Sequence, residues 1–406
     1  MDINTDAPVR QESTVGQVLL QAGKAAEALP YLLRDAEQEP SHWGHLLNVG
    51  IAYRIVGRFY EAESYLRQAA IIAPKEYSVW RSIGILLDDL GQFDQSLEAY
   101  KLAFTFEPTS QGNCLALGTA LLRLGAWERA WPLWEYGRFG QSWVVPPKGT
   151  PWQGEDLRGK SIVVMKEGGY GDTFLYFRYL EHLRERGAKI SVWLWDRQAS
   201  LFRVHPWVDE LLPTSKLFPA ENYDYCTAMM SLPAILNAKP EEVPPIKFPA
   251  MADKRVVKAF GEILPKNGKP KVGICWKAEE FGIPRKFRSV PEDEIEPLKD
   301  CPVHWVSLSP GKCPAWMADY TELLETWADT AGLVANLDLV VSVDSAVLHL
   351  AGQLGKSTWG LIPKNSDWKW ALGTDLTPWF DNVKLYRNED PLSWRGTIDR
   401  IVRELS

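Results

Sequence analysis

The chain lacks several features that would settle its class at once. Its five cysteines (Cys114, Cys226, Cys275, Cys301 and Cys313) are scattered and include no CxxC pair, as expected of reduced thiols in a cytoplasmic protein. No apolar run is long enough to span a bilayer, and the opening MDINTDAPVRQESTVGQ is polar and acidic, without the core of a signal peptide. Positive charge is not in excess. The formal net charge of −7 gives no overall basic field for nucleic acid or an anionic membrane. Neither GxGxxG nor GxxxxGK[ST] occurs, so the two common phosphate-loop fingerprints are absent.

What remains is a chain of 406 residues, long enough for two or three domains, with the 46% hydrophobic and 24% charged content of a globular protein. Its 19 tryptophans crowd residues 127–152 and 359–394. The first third repeats itself. Gly23, Gly57, Gly91 and Gly125 recur every 34 residues, as do Gly50, Gly84 and Gly118, and Pro40, Pro74 and Pro108. Ala28, Ala62 and Ala130 continue the pattern, with Ser96 in the third place. Small residues in phase let paired helices touch, and each proline ends a second helix before the next unit begins. Trp80, Tyr53, Leu66 and Tyr100 fill the gaps.

A Pro/Gly/Trp-rich connection, with Pro146, Pro147 and Pro151, marks a boundary near 145–158. Beyond it, a short apolar strand (161–165), the loop EGGYGD, a helix with Phe174, Phe177, Leu180 and Leu183 on one face, and a strand at 190–194 read as a βαβ unit. Further strands are expected near 208–212 and 223–230. Asp172 stands in the glycine-rich loop at the start of the helix. It is either a structural helix cap or a general base for an attacking hydroxyl. Residues 236–254 form a Pro-rich crossing linker, and 236–270 the expected hinge.

A second sheet starts with the strand at 271–275, with Trp276 at its carboxyl end and a helix expected from about Pro291. The intervening loop holds Lys277, Arg285, Lys286 and Arg288. These cations either clamp a diphosphate or form a solvated surface loop. A strand at 304–308 and a helix at 327–336 lead into LDLVVSVDSAVLHLAGQLGKSTWGLIP (337–363). The unbroken LVVSV suits a parallel strand covered on both faces. Asp344 and Ser345 then fall at its carboxyl end and at the start of a helix, where backbone N–H groups favour a phosphate. His349 lies one turn further on. An Asp/Ser helix cap with a core histidine is the plainer reading. Trp368, Trp370 and Trp379 sit in a turn-rich loop, either stacking on a base or sugar or covering the sheet end.

The repeats resemble the tetratricopeptide repeat, in three good copies (43–76, 77–110, 111–141) after a degenerate one from residue 9. Residues 127–390, through EGGYGDTFLYFRYL, WKAEEFGIPRKFRSVP, DLVVSVDSAVLHLAG and SDWKWALGTDLTPWF, resemble the heptosyltransferase-like domain of glycosyltransferase family nine, as found in bacterial proteins that also carry such repeats. The resemblance implies an α plus α/β architecture: a helical array (9–141) followed by a GT-B pair of Rossmann-like halves, an acceptor half (142–245) and a donor half (246–406). It implies an inverting, metal-independent transfer of sugar from a nucleotide-diphosphate sugar, a co-substrate rather than a cofactor, to a hydroxyl of a protein or glycan. Asp172 becomes the base. Glu167, Gly168, Gly169 and Gly171 form its loop, with Tyr170 where relatives often carry Leu. Trp276, Lys286, Arg288, Asp344, Ser345, Ala346 and His349 bind the donor, Ala346 replacing a frequent glycine. Trp368 and Trp370 are candidates for stacking, and no metal ligand is assigned. The repeats imply a protein partner or self-association. A non-catalytic interaction protein that binds a nucleotide or glycan is the competing expectation.

Overall fold

The computed structural model describes residues 14–139, 149–203, 205–215, 222–246, 252–278 and 287–406. It divides into two compact units, Met1–Ser142 and Trp143–Ser406. The first is an array of antiparallel helix pairs: α1 (Val15–Gln21) with α2 (Ala25–Gln38), α3 (Trp43–Ile55) with α4 (Phe59–Ile72), α5 (Tyr77–Asp89) with α6 (Phe93–Phe106), and α7 (Gln111–Arg123) with α8 (Trp127–Arg138).

The two glycine series do different work. Gly23, Gly57, Gly91 and Gly125 take φ of +77°, +85°, +71° and +79°, the left-handed region, and turn the chain between the helices of each pair. They are therefore turn residues rather than contact residues. Close approach falls to the other series. A Cβ added at Gly50 would lie 2.7 Å from Leu66, and one at Gly118 would lie 2.7 Å from the Trp134 backbone. Ala28, Ala62, Ser96 and Ala130 are all fully buried at the facing positions. Each proline of the series lies two residues beyond a helix end. Ion pairs tie one pair of helices to the next. Arg54 meets Asp89 at 2.7 Å. Arg123 meets Asp88 at 2.6 Å, and Asp88 also accepts the Tyr100 hydroxyl at 2.9 Å.

The second unit holds two parallel sheets. Strands β1 (Ser161–Met165), β2 (Lys189–Leu194), β3 (Glu210–Pro213) and β4 (Tyr225–Ala228) run in the order β3-β2-β1-β4. Strands β5 (Lys271–Cys275), β6 (His304–Ser307), β7 (Ala318–Asp319), β8 (Leu339–Val343), β9 (Thr358–Ile362) and β10 (Val383–Arg387) run in the order β10-β9-β8-β5-β6-β7. The strand order reverses between β1 and β4 in one sheet and between β5 and β8 in the other. Such reversals leave a crevice at the carboxyl ends of the strands, the usual place for a ligand in open α/β sheets. The architecture is thus a helical-repeat array followed by a pair of Rossmann-like α/β sheets.

The helix expected through Phe174 and Leu183 is interrupted. It forms α9 (Tyr170–Tyr176), a 3-10 turn at Phe177–Tyr179 and α10 (Leu180–Glu185). All four apolar residues of its face are nevertheless buried. No α-helix starts at Pro291; a 3-10 turn, Glu296–Asp300, stands there instead, with Pro297 near its start. Helices α11 (Asp196–Phe202), α12 (Leu232–Ile235), α13 (Lys254–Ile263), α14 (Trp327–Ala335), α15 (Ala346–Gln353) and α16 (Arg395–Leu405) complete the unit. Among the described residues no helix is long and apolar enough to cross a membrane.

Candidate functional site

The carboxyl ends of β1 and β8 each deliver a short loop and then a helix, and the two helix starts meet. In the first, Gly168 adopts φ +63°, where a Cβ would collide with the Asp172 carboxylate. This conformation, open to glycine, lets the loop fold back. The Gly169 N–H then donates to Asp172 Oδ2 at 2.8 Å. Asp172 is therefore not the cap residue of α9 but sits in its first turn, receiving the N–H of the residue that is. Gly171 faces the other half directly. A Cβ there would stand 2.7 Å from His349 Cδ2 and 3.4 Å from the Ala346 Cα.

In the second loop, Ser345 occupies the cap position of α15, but its side chain makes no cap bond to the helix. Its hydroxyl turns inward, 3.0 Å from Ser342 Oγ and donating to Cys275 Sγ at 3.6 Å. The plainer reading of an Asp/Ser cap is thereby corrected. Among the described residues no cap side chain accepts from the first-turn amides of α15, which suits an anion at the positive end of the helix.

Around these two helix starts lies a cluster of charges. Asp344 is buried, with Oδ1 3.8 Å from His349 Nε2 and 3.9 Å from Lys369 Nζ. Lys369 also lies 3.9 Å from Asp367. Burial pushes the His349 imidazole down to about 3, with Lys369 and Arg178 acting the same way against Asp344 and Asp367. At neutral pH the ring is neutral, so its contact with Asp344 is not an ion pair. Burial favours a raised pKa for Asp344, but Lys369, His349 and Arg288 outweigh it and hold the carboxyl below its ordinary value, against Asp367. With the ring neutral, Lys369 and Arg288 supply that effect near pH 7. Asp172 moves the other way. Burial raises it above the ordinary carboxylate range, Asp367 and Asp344 add to the rise, and Lys369 and the Gly169 N–H oppose it. The cluster thus sorts its carboxylates: Asp344 is held ionised, and Asp172 is made the more basic.

Of the residues singled out from sequence, Glu167, Gly168, Gly169, Gly171, Asp172, Arg288, Asp344, Ser345, Ala346 and His349 gather at these two loops or act electrostatically on the cluster. Lys286 and Arg285 lie outside the described residues. Lys277 points elsewhere, to Glu292 at 3.1 Å. Trp276 is fully buried in the core with Val290, Ile295 and Trp305. Trp370 is also fully buried, and it stacks on His349 with ring centroids 5.2 Å apart, so its face is already taken by protein. Trp368 is 5% exposed and packs edge-on against Trp379. All three indoles are buried against protein, and of the two readings of Trp368 and Trp370 the packing matches cover rather than an open stacking face.

Sequence reasoning missed Lys369, Asp367 and Arg178. Lys369 stands between two tryptophans whose rings turn inward, and that alternation was its signal. Arg178 is buried among apolar residues. Its Nη1 donates to the Pro244 carbonyl at 3.0 Å and the Trp379 carbonyl at 2.8 Å, its Nε to Leu175 at 3.0 Å. Burial lowers its pKa to about 10. One guanidinium thus joins the first sheet's layer, the linker and the second half. Arg197 adds bonds to the Glu325 and Leu324 carbonyls at 2.8 and 3.1 Å. The expected hinge segment is accordingly tied down at Pro244.

No family model matches the chain. Protein FlbA of Caulobacter vibrioides is 26% identical over 430 residues, covering 88% of this chain and 72% of its own. Among solved structures, the E. coli ADP-heptose lps heptosyltransferase II covers 60% of this chain and 99% of its own, at 13% identity and a TM-score of 0.40. A MamA crystal structure covers 31% of this chain and 74% of its own, at 15% identity and a TM-score of 0.28.

Proposed function

We propose that the second unit is a glycosyltransferase that moves a sugar from a nucleotide-diphosphate donor to a hydroxyl, and that the helical repeats present a protein or glycan acceptor. The reading rests on one observation above all. The helix start bearing Asp172 abuts the uncapped start of α15, at the strand-order reversals of two parallel sheets.

In this reading Asp172 takes the proton of the acceptor hydroxyl, which attacks the anomeric carbon and inverts it. The Gly169 N–H holds Oδ2 and so orients the carboxylate, leaving Oδ1 to receive the proton. The departing diphosphate takes up negative charge, met by the α15 amides, Lys369 and Arg288. Asp344 and Asp367 are positioning residues that hold Lys369 in place until a phosphate competes for it. Among the described residues the cluster brings Asp172, Asp344 and Asp367 together with Lys369, Arg288 and Arg178.

One observation favours a second reading, a transferase-like unit that binds a nucleotide or glycan without turnover. The site is packed: Gly171 lies against the Cδ2 of His349, and Trp370 stacks on that ring. Asp172→Asn distinguishes the two. With nucleotide sugars as probe, transfer or donor hydrolysis should fall by orders of magnitude while donor affinity holds. Binding without turnover in the unaltered chain, across a panel of donors with acceptor protein supplied, would favour the second reading.

A further inference from the structure

Glu39, His42 and His45 recur at intervals of three residues across the turn between α2 and α3, at a place for which the sequence reading assigned no metal ligand. Glu39 is the residue that ends α2, and His42 is the cap residue of α3. Their geometry is convergent. His45 Nε2 lies 3.8 Å from Glu39 Oε2, and the two imidazoles stand with centroids 4.2 Å apart. One nitrogen or oxygen from each of the three residues falls within 4.8 Å of the others.

A second observation concerns the layer behind these groups. Among the described residues, His45 Nδ1 is buried without a hydrogen-bond partner, and so is Asp35 Oδ2. Asp35 lies one helical turn before Glu39 on α2, and its charge acts on the same His45 ring. A histidine that binds a metal through Nε2 carries its proton on Nδ1 and seeks a carboxylate for it. Asp35, whose carboxylate acts on this ring through its charge but is not hydrogen-bonded to it here, is the candidate to receive that proton.

We propose that Glu39, His42 and His45 form a binding site for a divalent transition-metal ion of the zinc type. Two imidazoles and one carboxylate are a ligand set suited to that class and leave a fourth position for water. Ligands about 2.0–2.1 Å from a tetrahedral ion stand closer together than these do, so the side chains draw inward on binding. His42 pays for this locally. Its Nδ1 now accepts the His45 N–H at 3.3 Å, so its proton sits on Nε2. Capture of the ion at Nε2 moves that proton to Nδ1 and releases the long cap bond, with no net proton lost. The ion would fix the corner between the first two helix pairs.

The test uses the full chain with Zn²⁺ or Ni²⁺ alone, followed by calorimetry and thermal unfolding. One ion per chain should bind, and the unfolding temperature should rise with metal concentration. His42→Asn/His45→Gln removes both nitrogen ligands while Asn keeps the helix cap. It should retain the helical circular-dichroism signal and lose at least tenfold in affinity. Asp35→Asn, with the three ligands intact, should weaken binding about tenfold. X-ray absorption of the zinc-loaded chain should show nitrogen and oxygen neighbours without sulfur. Undiminished binding in the double variant, sulfur in the first shell, or no binding to the unaltered chain would each overturn the proposal. Should the double variant misfold, Glu39→Gln at the exposed ligand and the absorption spectrum carry the same decision.

Discussion

Two buried charge clusters, one in each unit, differ in how tightly they are closed. In the repeats, Asp88 is held by Arg123 at 2.6 Å and by the Tyr100 hydroxyl at 2.9 Å. In the α/β unit, Asp344 stands 3.8 Å from His349 and 3.9 Å from Lys369, with Lys369 another 3.9 Å from Asp367. The first is a finished structural bond: short, and repeated in kind by Arg54 and Asp89. The second keeps its charges in reach but at loose distances, at the ends of two sheets, beside an uncapped helix. A tight pair stabilises; a loose one can trade partners. That difference separates a brace from the proposed binding site.

The largest effect should come from the loose cluster. Asp172→Asn is expected to lower turnover by about 10²–10⁴-fold, measured as nucleotide release from a nucleotide sugar. Its effect on stability should run the other way. A carboxyl with a raised folded-state pKa contributes stability that is present below the unfolded pKa and lost as pH rises through the folded one, so ionising Asp172 in the folded chain costs stability. The variant should therefore melt at the same temperature or higher. A clear drop in melting temperature would make Asp172 a structural cap.

Asp88→Ala probes the other side of the comparison. It strands Arg123 in a buried position and should cost about 3–5 kcal/mol of stability in denaturant unfolding. Nucleotide binding by the α/β unit should be unchanged where the protein is folded. A loss below about 1 kcal/mol, the range of exposed pairs, would remove the distinction between brace and site.

Lys369→Met should weaken nucleoside diphosphate binding by roughly ten- to hundredfold, the worth of one charged hydrogen bond, with the chain still folded. Unaltered affinity would place the diphosphate elsewhere.

His349 gives the smallest effect, and a pH signature. Its pKa is pushed from 6.5 to about 3 in the folded state, so the unfolded chain binds more protons between those values and stability falls as pH falls through that window. Between pH 7 and pH 5 the loss should be roughly 2 kcal/mol. His349→Gln should flatten that part of the stability curve; an unchanged slope would assign it to other groups.

Much of this was legible in the sequence, for physical reasons. The strand, turn and helix at 339–353 follow from an apolar run, a turn and a helical period. The period of 34 follows from small residues where helices touch and glycines where the chain turns. The interrupted helix at 177–179 and the missing one at Pro291 were not legible, because tertiary packing and proline placement decided them. The tryptophans misled. Trp276 follows the end of β5 and Trp370 lies in the turn-rich loop after β9, but burial of a large indole outweighs its use as a platform. Lys369 and Arg178 were hidden for the converse reason, since only the meeting of the two halves shows what they face.

The central claim is that the loose cluster binds a nucleoside diphosphate. Calorimetric titration of ADP, UDP, GDP and CDP, against the unaltered chain and Lys369→Met side by side, tests it most directly. The account predicts saturable binding of at least one diphosphate to the unaltered chain, weakened at least tenfold in the variant. Silence across all four, or equal binding by both proteins, would contradict it.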